Sequence, residues 1–483
     1  MPEVDYRLQR PPGSSSRALR DSTKEKLTMD FASVQALETL RRAEFPADFR
    51  WGCSTSAYQI EGATTADGRA ESIWDRFCSA PGHIRDGSSG ATACDHYHRW
   101  PEDLDLAAQL GLSAYRFSIA WPRILPNGIQ NGPNGAGLDF YSRLVDGMLE
   151  RGLEPWATLY HWDLPQRLQE LGGWSNHATV DEFAVFADAV SRRLGDRVRH
   201  WITHNEPWCT AFLGCYEGSH APGLKSWRGA LQACHHVLLS HGYAVPVLRA
   251  NVRDAHVGIA LSLHPHQGAS DSPDDMAAAR RYDGLRNRWF LDPLYGRGYP
   301  PDIWALCGAD APRVASGDLA TIATATDFLG VNYYFPETIT HAPGDGPLTA
   351  RVVPTPGAER TDLGWEVSPQ GLCALLERLH REFEPRAIVI TENGASYEDQ
   401  LAPDGAITDA ARCHYLRRHL LAVREARAHG VPVNGYFAWT LMDNFEWAEG
   451  YTRRFGLVHV DFTTQQRRLK HSGAWYRDFL RQR

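Results

Sequence analysis

Eight short apolar runs, rich in β-branched and aromatic residues, recur along the chain with helical patterns between them. They are FRWGCST (49–55), AYRFSIAW (114–121), PWATLYHW (155–162), VRHWITHNEP (198–207), HVGIALSL (256–263), DFLGVNYY (327–334), AIVITENG (387–394) and NGYFAWTL (434–441). Runs of this length and make-up predict buried strands. Between them, Leu138, Tyr141, Leu144, Val145, Met148 and Leu149 recur at helical spacing until Gly152 stops the pattern. Thr179 with Glu182 reads as a capping box ahead of Phe183, Ala187 and Val190. Ser368-Pro369 opens a helix carrying Leu372, Leu375, Leu376, Leu379 and Phe383, and Thr408 to His429 reads as another, with Gly430 beyond its end.

Eight strands alternating with helices predict an α/β protein with a parallel sheet, and eight is the number that closes one. The expected fold is therefore a single (β/α)8 TIM barrel with long βα loops. Most runs finish on a polar or aromatic residue: Arg116, His161, Asn205 with Glu206, Asn332, Glu392 and Trp439. A barrel gathers the carboxyl ends of its strands at one face, so the active site is expected there. An open doubly wound sheet would show a Gly-rich phosphate loop after its first strand, and none follows residues 49–55. Residues 1–44 differ: they are polar and mixed in charge, read as a disordered extension with a short helix at 34–43, and Met29 offers an alternative start. The catalytic domain is read as 45–483.

Composition narrows the partners. Of the 483 residues 43% are hydrophobic and 22% charged, enough for a large core. A net charge of -8 argues against nucleic acid or an anionic membrane, and no apolar run is long enough to cross a bilayer. The nine cysteines are odd in number and lack a C-x-x-C pair, which reads as reduced thiols in a cytoplasmic protein. Sixteen tryptophans, many beside the polar strand ends, suit a sugar site as well as a core. The oligomeric state is left open, a homo-oligomer included.

Two stretches carry the chemistry: Thr203-His204-Asn205-Glu206-Pro207 and Ile390-Thr391-Glu392-Asn393-Gly394. A strand-end glutamate is costly to bury without a partner, and two of them fit a reaction needing one carboxylic acid and one carboxylate. Glycoside hydrolysis is the leading candidate. The H-x-H in Asp95-His96-Tyr97-His98 has no matching His/Asp set at later strand ends, so no metal site is read. His235-His236 and the set Cys209, Cys215 and Cys234 read as helix packing, and Arg192-Arg193 as a solvated helix face. His204, by strand alternation, points away from the site.

From about Phe45 to the C-terminus the chain resembles glycoside hydrolase family 1, the β-glucosidase family. Asn205-Glu206-Pro207 and Thr391-Glu392-Asn393-Gly394 carry the resemblance, with Gln59 in AYQIEG, His161-Trp162 in LYHWDLP, Asn332 with Tyr334, and Trp439 to Trp447. It implies no cofactor and a retaining mechanism acting on a small-molecule or oligosaccharide β-glucoside, with β-galactosides and β-fucosides also accepted. It places the protein in carbohydrate metabolism, cellulose and other polysaccharide degradation included. By the same resemblance Glu206 is the acid/base and Glu392 the nucleophile, with Arg116 beside Glu392 holding it as carboxylate, Tyr334 orienting it, and Asn332 completing the catalytic set. Gln59, His161, Trp162, Asn205, Glu446, Trp447 and Phe455 match substrate-binding positions, Trp439 the stacking platform, and Trp365 the wall of the leaving-group site. Relatives acting on 6-phosphorylated sugars carry serine and a phosphate-holding pair where this chain has Glu446, so a carboxylate there is expected to repel phosphate; Arg453 and Arg454 keep that question open. A sugar-binding pseudoenzyme would have lost one glutamate, and this chain keeps both. Whether glycosyl transfer outruns hydrolysis depends on the loop 341–363, which the sequence does not resolve.

Overall fold

The computed structural model describes residues 40–403 and 405–482. All eight expected strands are present: β1 Arg50–Ser54, β2 Ala114–Ser118, β3 Glu154–Tyr160, β4 His200–Asn205, β5 His256–Ser262, β6 Phe328–Asn332, β7 Ile388–Asn393 and β8 Val433–Trp439. They pair in parallel in the order β1-β8-β7-β6-β5-β4-β3-β2 and close into a barrel. Strands covered by helices on one side and a packed interior on the other read as near-continuous apolar runs, which is why the sequence announced them.

The barrel interior is filled by one residue from each of seven strands: Ala114, Trp156, Ile202, Ala260, Phe328, Val389 and Phe437. The eighth, β1, contributes Gly52, where a Cβ would lie 2.3 Å from the Phe437 ring. A small residue there is what lets a phenylalanine fill the layer. Above it the inward positions turn polar, Arg116 on β2 among them. On both strands that end in a glutamate motif the pairing register slips near the carboxyl end, between Ile202 and Asn205 against β5 and between Ile390 and Glu392 against β6. Such irregularities re-aim side chains, and they are common beside active sites.

The helices follow the expected pattern with two corrections. Helix α1 Gly135–Glu150 buries Tyr141, Leu144, Val145 and Met148, but Leu149 is 42% exposed, one step off the buried stripe. Helix α2 Ala178–Leu194 has no capping box. It starts before Thr179, whose hydroxyl donates to the Gly173 carbonyl at 2.7 Å, and Glu182 pairs instead with Arg167. Helix α3 spans Trp227–Asn251; His204 donates or accepts with its Ser240 at 2.8 Å, away from the barrel axis as expected. On α3, His235 meets Tyr299 and Asp318 while His236 meets the Trp174 carbonyl, so both serve packing. Helix α4 Pro369–Phe383 is capped by the Ser368 hydroxyl accepting from the Gly371 N–H, and α5 runs Ala410–Ala428.

Part of the loop 341–363 forms a small sheet, Ala350–Val353 pairing with Glu337–His341. The expected extension lies outside the described residues up to 39, and the 34–43 helix mostly so; Arg42–Glu44 forms a 3-10 turn. Among the described residues no helix is long and apolar enough to cross a membrane. All nine cysteines are free thiols.

Gly394 makes a sharp prediction. A Cβ there would sit 1.8 Å from the Trp439 carbonyl oxygen, a backbone atom that cannot swing aside. Gly394→Ala is expected to cost about 3 kcal/mol or more through forced displacement of Trp439, read as a lowered unfolding temperature together with a raised KM. An unchanged melt would show that the two strand ends are free to separate.

Candidate active site

Arg116 organises the cleft. Its side chain is fully buried, which is expensive for a guanidinium unless every donor is used. Nε donates to Thr158 Oγ1 at 3.1 Å, Nη1 to Glu392 Oε1 at 2.6 Å and to the Thr391 carbonyl at 3.1 Å, and Nη2 to Asn205 Oδ1 at 2.7 Å. Tyr334 donates to the other nucleophile-candidate oxygen, Glu392 Oε2, at 2.7 Å. Both oxygens of Glu392 are thus held by donors.

The second glutamate is tied to the first through side chains. Asn332 Nδ2 donates to Glu206 Oε1 at 2.7 Å and to Asn205 Oδ1 at 2.9 Å, while its own Oδ1 accepts from Thr391 Oγ1 at 2.6 Å. A continuous chain therefore runs Glu206–Asn332–Asn205–Arg116–Glu392, bringing together residues from β2, β4, β6 and β7. Because Asn205 Oδ1 accepts from both Arg116 and Asn332, its amide orientation is fixed. Its Nδ2 then faces His161 Nε2 at 3.1 Å as donor, which leaves the proton of that imidazole on Nδ1. Burial, with Arg116 close by, pushes the His161 pKa well down, so the ring is neutral.

Burial also pushes Glu392 up to about 7; Arg116 opposes this and Glu206 reinforces it. The expected ion pair is present, with Arg116 Nη1 2.6 Å from Glu392 Oε1. Glu446 is pushed up to about 8, by burial first and then by Glu392, Glu449 and Glu206. Arg453 pairs with Glu449 at 3.0 Å and Arg454 with Asp443 at 2.6 Å, so each guanidinium already has a carboxylate partner.

The aromatic residues fall into two groups. Trp439 and Trp447 stack near His161, at 6.0 and 5.9 Å between ring centroids, and Trp162 packs on Trp447 at 4.7 Å. Trp162 spends its indole N–H on the Asn205 carbonyl at 2.9 Å, so it steadies β4's end and offers only a ring face. Trp365, Tyr334 and Phe455 form the second group, with Trp365 5.3 Å from Tyr334 and 5.9 Å from Phe455. Gln59 accepts from Ser56 and donates to Asn444, the Phe445 carbonyl and Glu446. Three site residues adopt left-handed backbone, Trp162 at φ 75°, Glu206 at φ 48° and Trp447 at φ 49°. Non-glycine residues do so at a cost of about 1–3 kcal/mol each, tolerated where the surroundings over-determine the position.

Every sequence-predicted site residue lies in this cleft or its wall. Four contacts were missed: Thr158 on Arg116, Thr391 on Asn332, Ser56 on Gln59, and Cys209. Read as helix packing, Cys209 instead places Sγ 2.9 Å from Glu206 Oε2. Its position three residues after Glu206 was the available signal. The H-x-H histidines serve elsewhere: His96 pairs with Asp103 at 2.8 Å and His98 with Asp95 at 2.6 Å.

Known proteins agree with this geometry. The family described as Glycosyl hydrolase family 1 matches residues 41–483. Beta-glucosidase A of Acetivibrio thermocellus is 44% identical over 448 residues, covering 92% of this chain and 99% of the relative. The bifunctional beta-D-glucosidase/beta-D-fucosidase of Bifidobacterium breve is 42% identical over 458 residues, covering 90% and 98%. Among solved structures, the beta-glucosidase from Thermotoga maritima in complex with glucoimidazole superposes with a TM-score of 0.88 at 42% identity, covering 91% of this chain and 99% of that one. A closed parallel barrel, two glutamates joined through one buried arginine at its carboxyl face, and matches of this length leave one assignment: the chain belongs to glycosyl hydrolase family 1.

Proposed function

We propose that the protein is a retaining β-glucosidase, releasing terminal non-reducing β-D-glucosyl residues through a covalent glycosyl-enzyme intermediate, and accepting β-fucosides and β-galactosides. Glu392 is the nucleophile and Glu206 the acid/base. One observation carries the division of labour: of the two linked carboxyls, only Glu392 touches a guanidinium. Two like charges this close cannot both be held cheaply, so a single proton in the pair is cheaper on Glu206.

Glu206 then protonates the departing oxygen as Glu392 attacks the anomeric carbon. Esterification removes the charge of Glu392, and Glu206 takes the proton of the incoming water. Asn205, held by Arg116 and Asn332, presents the 2-hydroxyl contact that tightens as charge develops on the ring. His161 donates from Nδ1; Gln59, Glu446 and the Trp447 indole bind the remaining hydroxyls; Trp439 stacks on the sugar face. Trp365 and Phe455 line the leaving-group side. The bacterial relatives' names support the glucoside and fucoside specificity. The free thiols support a cytoplasmic site of action, and the catalytic domain is taken as 45–483.

A neutral Glu446 both donates and accepts hydrogen bonds, suiting the 4- and 6-hydroxyls, and the pairing of Arg453 and Arg454 leaves a phosphate dianion uncompensated. The protein is expected to hydrolyse p-nitrophenyl β-glucoside with kcat/KM at least about 100-fold above that for the 6-phosphate, equivalent to about 2.7 kcal/mol. The reverse preference would overturn the substrate assignment while leaving the reaction class intact.

A further inference from the structure

Outside the cleft, the two helices flanking β7 each carry a pair of metal-ligand side chains one turn apart. On α4 these are Cys373 and Glu377. At the end of α5 they are Glu425 and His429, the His429 N–H bonded to the Glu425 carbonyl at 3.1 Å. Residues four apart share a helix face, so each pair presents both groups together. The two faces meet: His429 Nδ1 lies 2.5 Å from Glu377 Oε1, and Cys373 Sγ lies 3.6 Å from the same oxygen. One ligand atom from each of Cys373, Glu377 and His429 falls within 4.8 Å of the others.

A plain ion pair would need only His429 and Glu377. The thiol adds a third donor of a different kind, buried behind the half-buried Glu377 and the exposed His429. Burial, then Glu377 and Glu425, push the Cys373 thiol up to about 12. Of the cations, Arg381 acts on Glu377 but pairs with Glu382. One carboxylate, a thiol and an imidazole converge between the two helices.

We propose that Cys373, Glu377 and His429 form a peripheral site for a zinc-class divalent cation, held by three protein ligands. The mix of sulfur, nitrogen and carboxylate oxygen suits a borderline metal in tetrahedral geometry and not calcium or magnesium, which demand oxygen throughout. Binding converts the Cys373 thiol to thiolate and releases one proton to solvent as the metal–sulfur bond forms. The ion cross-links α4 to α5 outside the barrel, so it stabilises the fold that frames β7 without entering the cleft.

The test uses the full chain without a histidine tag, titrated separately with Cd2+ and Co2+ as the salts. Saturation at one equivalent is expected, with thiolate charge transfer for Cd2+ and tetrahedral visible bands for Co2+. Zn2+ should displace both and raise the unfolding temperature. Cys373→Ser should abolish the charge-transfer band, and His429→Gln should weaken binding at least tenfold; turnover should be unchanged in both. Because His429 is exposed, its variant keeps the test decisive even where Cys373→Ser perturbs packing. Absence of a thiolate band at one equivalent, or an affinity unmoved by His429→Gln, would overturn the proposal, as would a band persisting in Cys373→Ser, which would mark another thiol as ligand.

Discussion

Replacing Glu392 by Gln is expected to lower kcat/KM for aryl β-glucosides by about four orders of magnitude or more, equivalent to about 5.5 kcal/mol of transition-state stabilisation. An amide cannot form the glycosyl ester, so the double-displacement route closes whatever the leaving group. The variant should remain folded, because Arg116 keeps Asn205, Thr158 and the Thr391 carbonyl as acceptors after losing the carboxylate. The parent protein supplies the complementary measurement. Incubated with a 2-deoxy-2-fluoro-β-glucoside bearing a good leaving group, it should gain the mass of one glycosyl unit, located on the peptide containing Glu392. Label on any other residue removes Glu392 from the nucleophile's role. The pH profile adds a second reading of the same group. Burial raises Glu392 to about 7 in the free protein, so the acid limb of kcat/KM should lie above the ordinary glutamate range. Tyr334 donates to the charged form, and Tyr334→Phe should move that limb further up by less than about one pH unit.

How much of this was legible in the sequence depended on which interactions set each feature. The eight strands could be read to within a few residues because a strand buried on both sides needs an unbroken apolar run, a purely local signal. The Ser368 cap was legible for the same reason: the hydroxyl bonds its own helix. The capping box at Thr179 failed because a one-residue shift in helix start hands the hydroxyl to Gly173, and nothing local distinguishes the two registers. In the cleft, Arg116 with Glu392 was expected, but not Thr158 on Arg116. Arg116 is in register with Trp156, and Thr158 comes within reach only because the guanidinium leans along the neighbouring strand, which is set by pairing across the sheet. The raised pKa of Glu446 was only partly legible, because of its causes Glu449 alone lies nearby in sequence. The other causes are burial, Glu392 on another strand and Glu206 far earlier in the chain, none of which local sequence shows.

That same raised Glu446 makes the second large prediction discriminating, since it is another proton-bearing carboxyl in the cleft. Geometry favours Glu206 as the acid: it is linked through Asn332 and Asn205 to the arginine that holds Glu392, whereas Glu446 hydrogen-bonds Gln59 on the far side of that network. Glu206→Ala should therefore slow cellobiose and alkyl glucosides by about 10²–10⁴-fold, the usual contribution of a general acid. A 2,4-dinitrophenyl glucoside needs little protonation, so its bond should still break at a near-normal rate. Loss of the base then strands the glycosyl-enzyme, and KM should fall because the intermediate accumulates. Azide needs no base and is anionic, so it should enter the space the carboxylate vacated, restore turnover and leave β-glucosyl azide. Glu446→Gln should show neither the leaving-group dependence nor the azide product, only weakened sugar binding. Equal losses across leaving groups in Glu206→Ala, with no azide adduct, would move the acid's role away from Glu206, and the appearance of both effects in Glu446→Gln would assign it there.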